Sequence, residues 1–116
     1  MFEDIEKDFI LPNTLSAMAK TFYVKVATDL KQDDWFIKQG SKVTGVKVIA
    51  QGEKIREVQR LIRDYPLQNG QLTKVEDWYK VRGTALITNG VEEKIEEIHW
   101  YQCENIGKVE FKQKNW

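Results

Sequence analysis

Two alternating segments joined by Asn89-Gly90 constrain the fold of this 116-residue chain more than any other feature. Apolar and polar residues alternate from Asp77 to Thr88 and again from Val91 to Cys103. Asn-Gly between two such runs is a strong signal for a β-hairpin, because both residues of a tight turn of this kind adopt positive φ. The sequence therefore predicts two long antiparallel strands over the last forty residues.

A two-residue turn would also set the register of this hairpin. Thr88 would face Val91, and this first pair fixes every other cross-strand pair of the hairpin. The polar pairs are then Lys80–His99, Arg82–Glu97 and Trp78–Tyr101. The opposite face would carry Tyr79, Val81, Ile98 and Trp100. A slip by one residue would mix the two faces, because side-chain direction alternates along a strand.

A second turn candidate, Glu104-Asn105-Ile106-Gly107, predicts a third antiparallel strand. If Cys103 faces Lys108, the partners on the apolar face include Trp100 with Phe111, and Val109 joins the same face. The predicted polar pairs are His99–Lys112, Tyr101–Glu110 and Glu97–Lys114. The two turns together give one consistent three-stranded sheet.

The clearest helix is predicted over residues 53–65. Its apolar residues recur at helical spacing, and Pro66 ends it. They are Ile55, Val58, Leu61, Ile62 and Tyr65. This stripe is suited to covering the apolar face of the sheet.

Weaker signals precede that helix. Alternation from Thr21 to Thr28 and the run from Val43 to Ala50 indicate strands, and a short helix is predicted over 15–20. Leu30–Gly40 is expected to be an ordered connection anchored by Trp35 and Ile37. The predicted fold is α+β, with the amphipathic helix packed on a small antiparallel sheet of three to five strands. An extra N-terminal helix and strand segment, 1–41, would belong to the same single domain as the core, 42–116.

Composition excludes several classes of function. Eighteen basic residues balance eighteen acidic ones, so nucleic-acid binding would need a local cluster of cations. One cysteine and one histidine leave a zinc site short of ligands, and no metal or cofactor is expected. No apolar run is long enough to span a bilayer, and the N-terminal residues do not resemble a signal peptide. A cytoplasmic protein that does not bind membranes is the expectation.

The predicted polar face admits two interpretations. In the simpler one it is the wet side of a sheet, where opposite charges across strands stabilise the fold. In the other, Lys80 and Lys112 flank His99, lower its pKa and leave it neutral at pH 7 as a proton acceptor. Trp78 and Tyr101 would then offer stacking surfaces for bases.

Several segments resemble a phage-associated, polymorphic-toxin-like domain of the barnase–EndoU–colicin–RelE group of metal-independent ribonucleases. Such domains occur at the C-terminus of phage head-morphogenesis proteins and as short separate proteins. The resemblance spans about residues 42–114 and is most specific in two predicted strands, Glu97-Ile98-His99-Trp100-Tyr101 and Gly107-Lys108-Val109-Glu110-Phe111-Lys112. The resemblance also includes two further segments, Lys54-Ile55-Arg56-Glu57-Val58 and Asp77-Trp78-Tyr79-Lys80-Val81-Arg82-Gly83. The resemblance implies a helix packed on a small antiparallel sheet, with catalytic polar residues on the exposed sheet face.

The expected function is RNA cleavage by attack of the ribose 2′-hydroxyl, in the cytoplasm of a bacterial host. His99 would act as general base or acid, with Glu110 or Tyr101 as its complement. The residues expected to bind substrate or stabilise the transition state are Lys80, Lys112, Arg82, Lys114 and Trp78.

Expected partners are RNA, with tRNA as one candidate target, and a cognate inhibitor or another phage protein. The alternative is a non-catalytic phage accessory or immunity-type module that binds a protein through the same face. A third hypothesis is binding of single-stranded nucleic acid without cleavage, which would be sensitive to salt but not to His99→Ala.

Overall fold

The computed structural model describes residues 23–28, 34–38 and 41–114 of the chain. The strands are β1 (Tyr23–Val26), β2 (Trp35–Lys38), β3 (Thr44–Gln51), β4 (Trp78–Thr88), β5 (Glu93–Cys103) and β6 (Gly107–Gln113). One α-helix, α1 (Val58–Asp64), and two 3-10 turns, Gly52–Lys54 and Val75–Asp77, complete the described elements. The helix predicted over 15–20 lies outside the described residues. Within these ranges, no helix combines the length and apolar character that crossing a membrane requires.

The six strands form one sheet that nearly closes into a barrel. Its order is β1-β2-β4-β5-β6, and β3 pairs with β4 beside β2. All these pairings are antiparallel. A parallel bridge then joins the end of β1 to β6, where Ala27 N–H donates to the Phe111 carbonyl at 2.9 Å and Gln113 N–H donates to the Ala27 carbonyl at 2.8 Å.

The α+β class and the antiparallel sheet are confirmed, but the sheet is larger than the three to five strands predicted. The additional strand is β2, which lies inside the segment predicted as a connection. Trp35 and Ile37 alternate within it and are only 4% and 1% exposed. Phe36 between them interrupts the apolar–polar alternation that indicates a strand, so only pairing with β1 and β4 defines β2.

The β4–β5 hairpin has a longer turn than predicted. Thr88 pairs with Glu93, so residues 89–92 form the connection. Asn89 Oδ1 accepts hydrogen bonds from the backbone N–H groups of Val91 and Glu92, at 2.9 and 2.6 Å. The predicted register was wrong by two residues: Arg82 faces His99, and Lys80 faces Tyr101. Because two residues is the strand period, the division of the hairpin into two faces survives this error.

A β-bulge at Glu110 corrects the register of β6. Next to the turn, Cys103 pairs with Gly107 and Tyr101 with Val109, one residue away from the prediction. Glu110 adopts a φ of 58°, and beyond it His99 pairs with Lys112 as predicted. The extra residue turns Val109 to the opposite face from the one predicted. Phe111 lies on the predicted face, with its ring stacked on Trp100 at a centroid distance of 5.5 Å.

Two apolar clusters stabilise the molecule. The first fills the inside of the curled sheet; its buried side chains are Val26, Trp35, Ile37, Val43, Val81, Ala85, Ile87, Ile98 and Trp100. The second lies on the outer face, where α1 packs through Val58, Leu61 and Ile62. The outer-face side chains that α1 covers are Trp78, Tyr101 and Cys103.

The helix therefore covers the face opposite to the one predicted. Within the described residues, β1, β2 and β3 curl around the apolar face of the hairpin and cover it in place of α1. Trp78 and Tyr101, predicted on the exposed polar face, are 0% and 4% exposed beneath α1. α1 is also shorter than the predicted 53–65, because a 3-10 turn occupies its first residues.

Gly83 lies where neighbouring side chains approach the backbone of β4 closely. A Cβ at this position would lie 2.5 Å from Val43 Cγ1 and 3.1 Å from Trp100 Cη2. Val43 is fully buried and β-branched, so it has little freedom to move away. Gly83→Ala is expected to lower the free energy of unfolding by about 1–3 kcal/mol through overpacking.

Urea denaturation followed by tryptophan fluorescence measures this loss. Thr84→Ala is the matched control, because residue 84 neighbours Gly83 in β4 but lies on the outer face. An unchanged unfolding midpoint for Gly83→Ala would contradict the close packing of Val43 against β4.

Candidate functional site

Four neighbouring strands align polar side chains in one row on the outer face of the sheet. Lys47 in β3 pairs with Arg82 in β4, Arg82 with His99 in β5, and His99 with Lys112 in β6. Adjacent strands are about 4.8 Å apart, so the backbone positions of the row span about 14 Å. We refer to Lys47, Arg82, His99 and Lys112 as the cationic row.

Glu97 lies beside this row and holds its histidine. Glu97 Oε2 is 2.8 Å from His99 Nε2, while Glu97 Oε1 is 3.7 Å from Arg82 Nη1 and 3.9 Å from Lys114 Nζ. The hydrogen bond from His99 lowers the pKa of Glu97, and the charges of Lys114 and Arg82 lower it further. An ionised Glu97 can only accept a hydrogen bond, so it selects the neutral His99 tautomer that donates from Nε2 and carries a lone pair on Nδ1.

His99 sits in a half-enclosed position. Its side chain is 15% exposed, and its cross-strand neighbours are both cations. The imidazole therefore has a carboxylate on one side and basic residues on two others, an arrangement that combines proton transfer with an attraction for anions.

Two other predicted catalytic residues lie in a separate cluster that ties α1 to the sheet. Arg60 donates to both oxygens of Glu110, at 2.9 and 2.8 Å, and Tyr65 Oη donates to the same carboxylate at 2.8 Å. Tyr101 Oη donates to Glu57 at 2.9 Å, and Arg60 Nε lies 3.1 Å from the other oxygen of Glu57. We call these five residues the helix clamp.

The helix clamp fixes the protonation of its members. The hydrogen bonds from Arg60 lower the pKa of Glu110, with a further contribution from Tyr65. Burial raises the pKa of Tyr101 to about 12, and its hydrogen bond to Glu57 acts in the same direction. Glu110 is thus an engaged carboxylate and Tyr101 a buried phenol, and both serve the attachment of α1.

Trp78 does not have the position expected of a base-stacking residue. It is 0% exposed, its indole N–H donates to Thr73 Oγ1 at 2.8 Å, and its ring centroid is 6.0 Å from that of Tyr65. A side chain without exposed surface has no face to offer a base, so the predicted role of Trp78 does not fit its place under α1.

The structure brings together four of the predicted site residues and separates the others. Glu97 contacts three of them, Arg82, His99 and Lys114. The fourth, Lys112, is the cross-strand neighbour of His99. Lys80 lies in the next cross-strand row, with Nζ 6.0 Å from the centre of the Tyr101 ring. Lys47 is a further residue of the row and was not among the predicted site residues, although its position between Val46 and Val48 is typical of the outer face.

Other chemistries find less support in the described residues. Cys103 is 1% exposed, and burial raises the pKa of its thiol to about 11, so it is not poised as a nucleophile. In residues 23–28, 34–38 and 41–114, His, Cys, Asp and Glu side chains form no group of three or more suited to holding a metal ion.

No family model matches the chain, no curated protein matches it, and no solved structure matches it.

The helix clamp predicts an acid-sensitive contribution to stability. Glu110→Gln is expected to lower the free energy of unfolding by about 1–3 kcal/mol at pH 7, because it removes the charge from a partly buried, bidentate ion pair. The pKa of Glu110 is lowered from its ordinary 4.5 by folding, so its contribution is complete above about pH 4.5 and is lost as the pH falls through the folded-state value. The difference between the variant and the parent protein should therefore shrink in acid.

Urea denaturation at a series of pH values measures this dependence. Glu104→Gln, in the exposed turn between β5 and β6, is the control and should change stability by less than about 0.5 kcal/mol. A Glu110→Gln effect that stayed constant down to pH 3 would show that the ion pair does not carry the stabilisation.

Proposed function

We propose that this protein is a metal-independent endoribonuclease that cleaves RNA by attack of the ribose 2′-hydroxyl on the adjacent phosphate. The observation that carries the proposal is the cationic row, in which His99 lies between Arg82 and Lys112 and is hydrogen-bonded to Glu97. The arrangement contains a proton acceptor and flanking cations, which are the parts that this reaction needs.

Charge supports RNA as the substrate class. The chain has no net charge, yet the row gathers three cations on neighbouring strands, with Lys80 and Lys114 next to it. Glu97 is compensated by its own contacts with His99, Arg82 and Lys114. A local field of this kind attracts a phosphate backbone even when the whole protein is neutral.

The proposed reaction assigns each proton. Glu97 is a positioning residue that holds the Nε2–H of His99, and His99 Nδ1 accepts the proton of the 2′-hydroxyl. The 2′-oxygen then bonds to phosphorus, and the bond from phosphorus to the 5′-oxygen breaks, which gives a 2′,3′-cyclic phosphate. Lys112 supplies the proton that the leaving 5′-oxygen takes up, and Arg82 stabilises the crowded phosphorane. Exchange with water restores both groups.

The biological setting in this proposal comes from the resemblance to phage-associated toxin domains. It is a protein of phage or mobile-element origin acting in a bacterial cytoplasm, with RNA, tRNA included, as target and a cognate inhibitor as partner. Glu110 and Tyr101 keep no catalytic part in it, since the helix clamp occupies their polar groups.

Loss of the histidine tests the catalytic proposal. Purified protein is expected to cleave total RNA and tRNA in the presence of EDTA, and His99→Ala should slow cleavage by about 10²–10⁴-fold, the usual contribution of a general base. Lys74→Ala is the matched control, because Lys74 is exposed and lies outside the row. Gel electrophoresis measures cleavage, and circular dichroism verifies that the variants are folded.

Equal rates for the parent protein and His99→Ala, or intact RNA with both, would contradict the proposal. The second result would favour a non-catalytic protein-binding module. One observation supports that alternative: Leu86 and Ile95 face each other across β4 and β5 and are 40% and 70% exposed, with Val91 91% exposed in the adjoining turn. Expression without an inhibitor separates the two, because a nuclease should arrest bacterial growth and a binding module should not.

Lys47 provides a test of backbone binding separate from chemistry. In a His99→Ala background, which prevents turnover, Lys47→Ala should reduce the slope of log affinity against log salt by about 0.7–1, the contribution of one phosphate contact. Fluorescence anisotropy with labelled single-stranded RNA measures this slope. Lys74→Ala in the same background should leave it unchanged, and an equal effect of both variants would remove Lys47 from the binding surface.

A further inference from the structure

A pocket of about 430 Å³ opens on the outer face next to the cationic row. It lies between the end of β3, the segment that joins the 3-10 turn to α1, the start of β4 and the ends of β5 and β6. Lys80, Tyr101 and Lys112 contribute to its wall from the sheet. Its volume is within the range of small-molecule sites. Lys112 belongs to both the pocket and the row, so the two are continuous.

The pocket is strongly positive. Lys54, Arg56, Lys80 and Lys112 all line it, and Glu57 is its one acidic lining residue. The carboxylate of Glu57 is already engaged, with Tyr101 on one oxygen and Arg60 on the other. The four cations are therefore not neutralised from within the pocket wall, and an anionic ligand would complete the balance of charge.

One side of the pocket is apolar. Ile49, Ala50 and Ile55 contribute to its lining, and Ile49 is 43% exposed although it is a large aliphatic residue. An aliphatic surface beside cationic groups suits a ligand with a flat apolar part and a phosphate, because the apolar part can pack on the aliphatic side chains while the phosphate contacts the cations. Inorganic phosphate alone would leave the Ile49 surface unused.

We propose that this pocket is a nucleotide subsite that binds one nucleoside monophosphate unit of the RNA next to the scissile phosphate. Lys80 holds the phosphate, Lys54 and Arg56 bind it from the side of α1, and the base lies against Ile49. Lys112, at the border with the row, stays with the scissile phosphate. Lys80 is two residues from Arg82 along β4, so their backbone positions are about 7 Å apart, and the phosphate held by Lys80 would be the neighbour of the one at Arg82. The inference rests on the proposed ribonuclease function for its biological meaning, but binding of the nucleotide can be measured without cleavage.

Titration of the His99→Ala protein with adenosine 5′-monophosphate and uridine 5′-monophosphate tests the subsite by calorimetry. The nucleotides should bind more tightly than either inorganic phosphate or the free nucleosides. Lys80→Ala and Arg56→Ala should each weaken nucleotide binding by about tenfold, as loss of one charged hydrogen bond does. Ile49→Ser should weaken nucleotide binding while leaving the affinity for inorganic phosphate unchanged. Lys74→Ala, a lysine outside the pocket, is the control.

Each part of the result decides something. Nucleotides that bind no more tightly than phosphate, or that bind equally well to Lys80→Ala, would overturn the subsite. Cleavage that depends on His99 without nucleotide binding in the pocket would leave the ribonuclease proposal standing and remove the subsite alone. Nucleotide binding that depends on Lys80 and Ile49 in a protein that cleaves no RNA would support the site and remove the catalytic proposal.

Discussion

Burial of the inner face of the β4–β5 hairpin is the constraint on which the rest of the structure depends. Val81, Ile98 and Trp100 are at most 1% exposed, and α1, the helix among the described residues, packs on the other face. The sheet instead curls until β1 reaches β6, and the two hydrogen bonds of Ala27 close the gap. This closure joins the two ends of the strand order and leaves the outer face of the sheet as the surface on which a helix and a site can be built.

The helix clamp divides that outer face into two parts. At one end, α1 buries Trp78, Tyr101 and Cys103, and Arg60 is paired with Glu110. At the other end, the polar side chains stay at the surface. Glu110 connects the two parts, because its bulge both presents the carboxylate to Arg60 and shifts β6 so that Lys112 faces His99. The same backbone irregularity thus secures the helix and aligns the cationic row.

The chemistry proposed for this protein follows from where charges are left unburied. His99, Glu97 and the surrounding cations lie beyond the reach of α1, and the pocket beneath Lys54 and Arg56 borders the same surface. A continuous positive surface beside an imidazole is suited to a phosphate backbone. The clamp carboxylates, by contrast, are neutralised by Arg60 and contribute to stability.

The local pattern of the sequence determined the hairpin, the third strand and the division of β4 and β5 into two faces, because alternation and turn residues act over short distances. The pairing of His99 with Lys112 depends in addition on the bulge at Glu110. The local pattern did not determine which elements cover each face of the hairpin. Contacts between segments far apart in the chain decide three features of the structure. They add β2 to the sheet, place α1 over Trp78 and bring Lys47 into the row. Periodicity describes one strand or helix at a time, whereas only the assembled sheet decides which of two partly apolar faces is curled inward and which is left to a helix and a site.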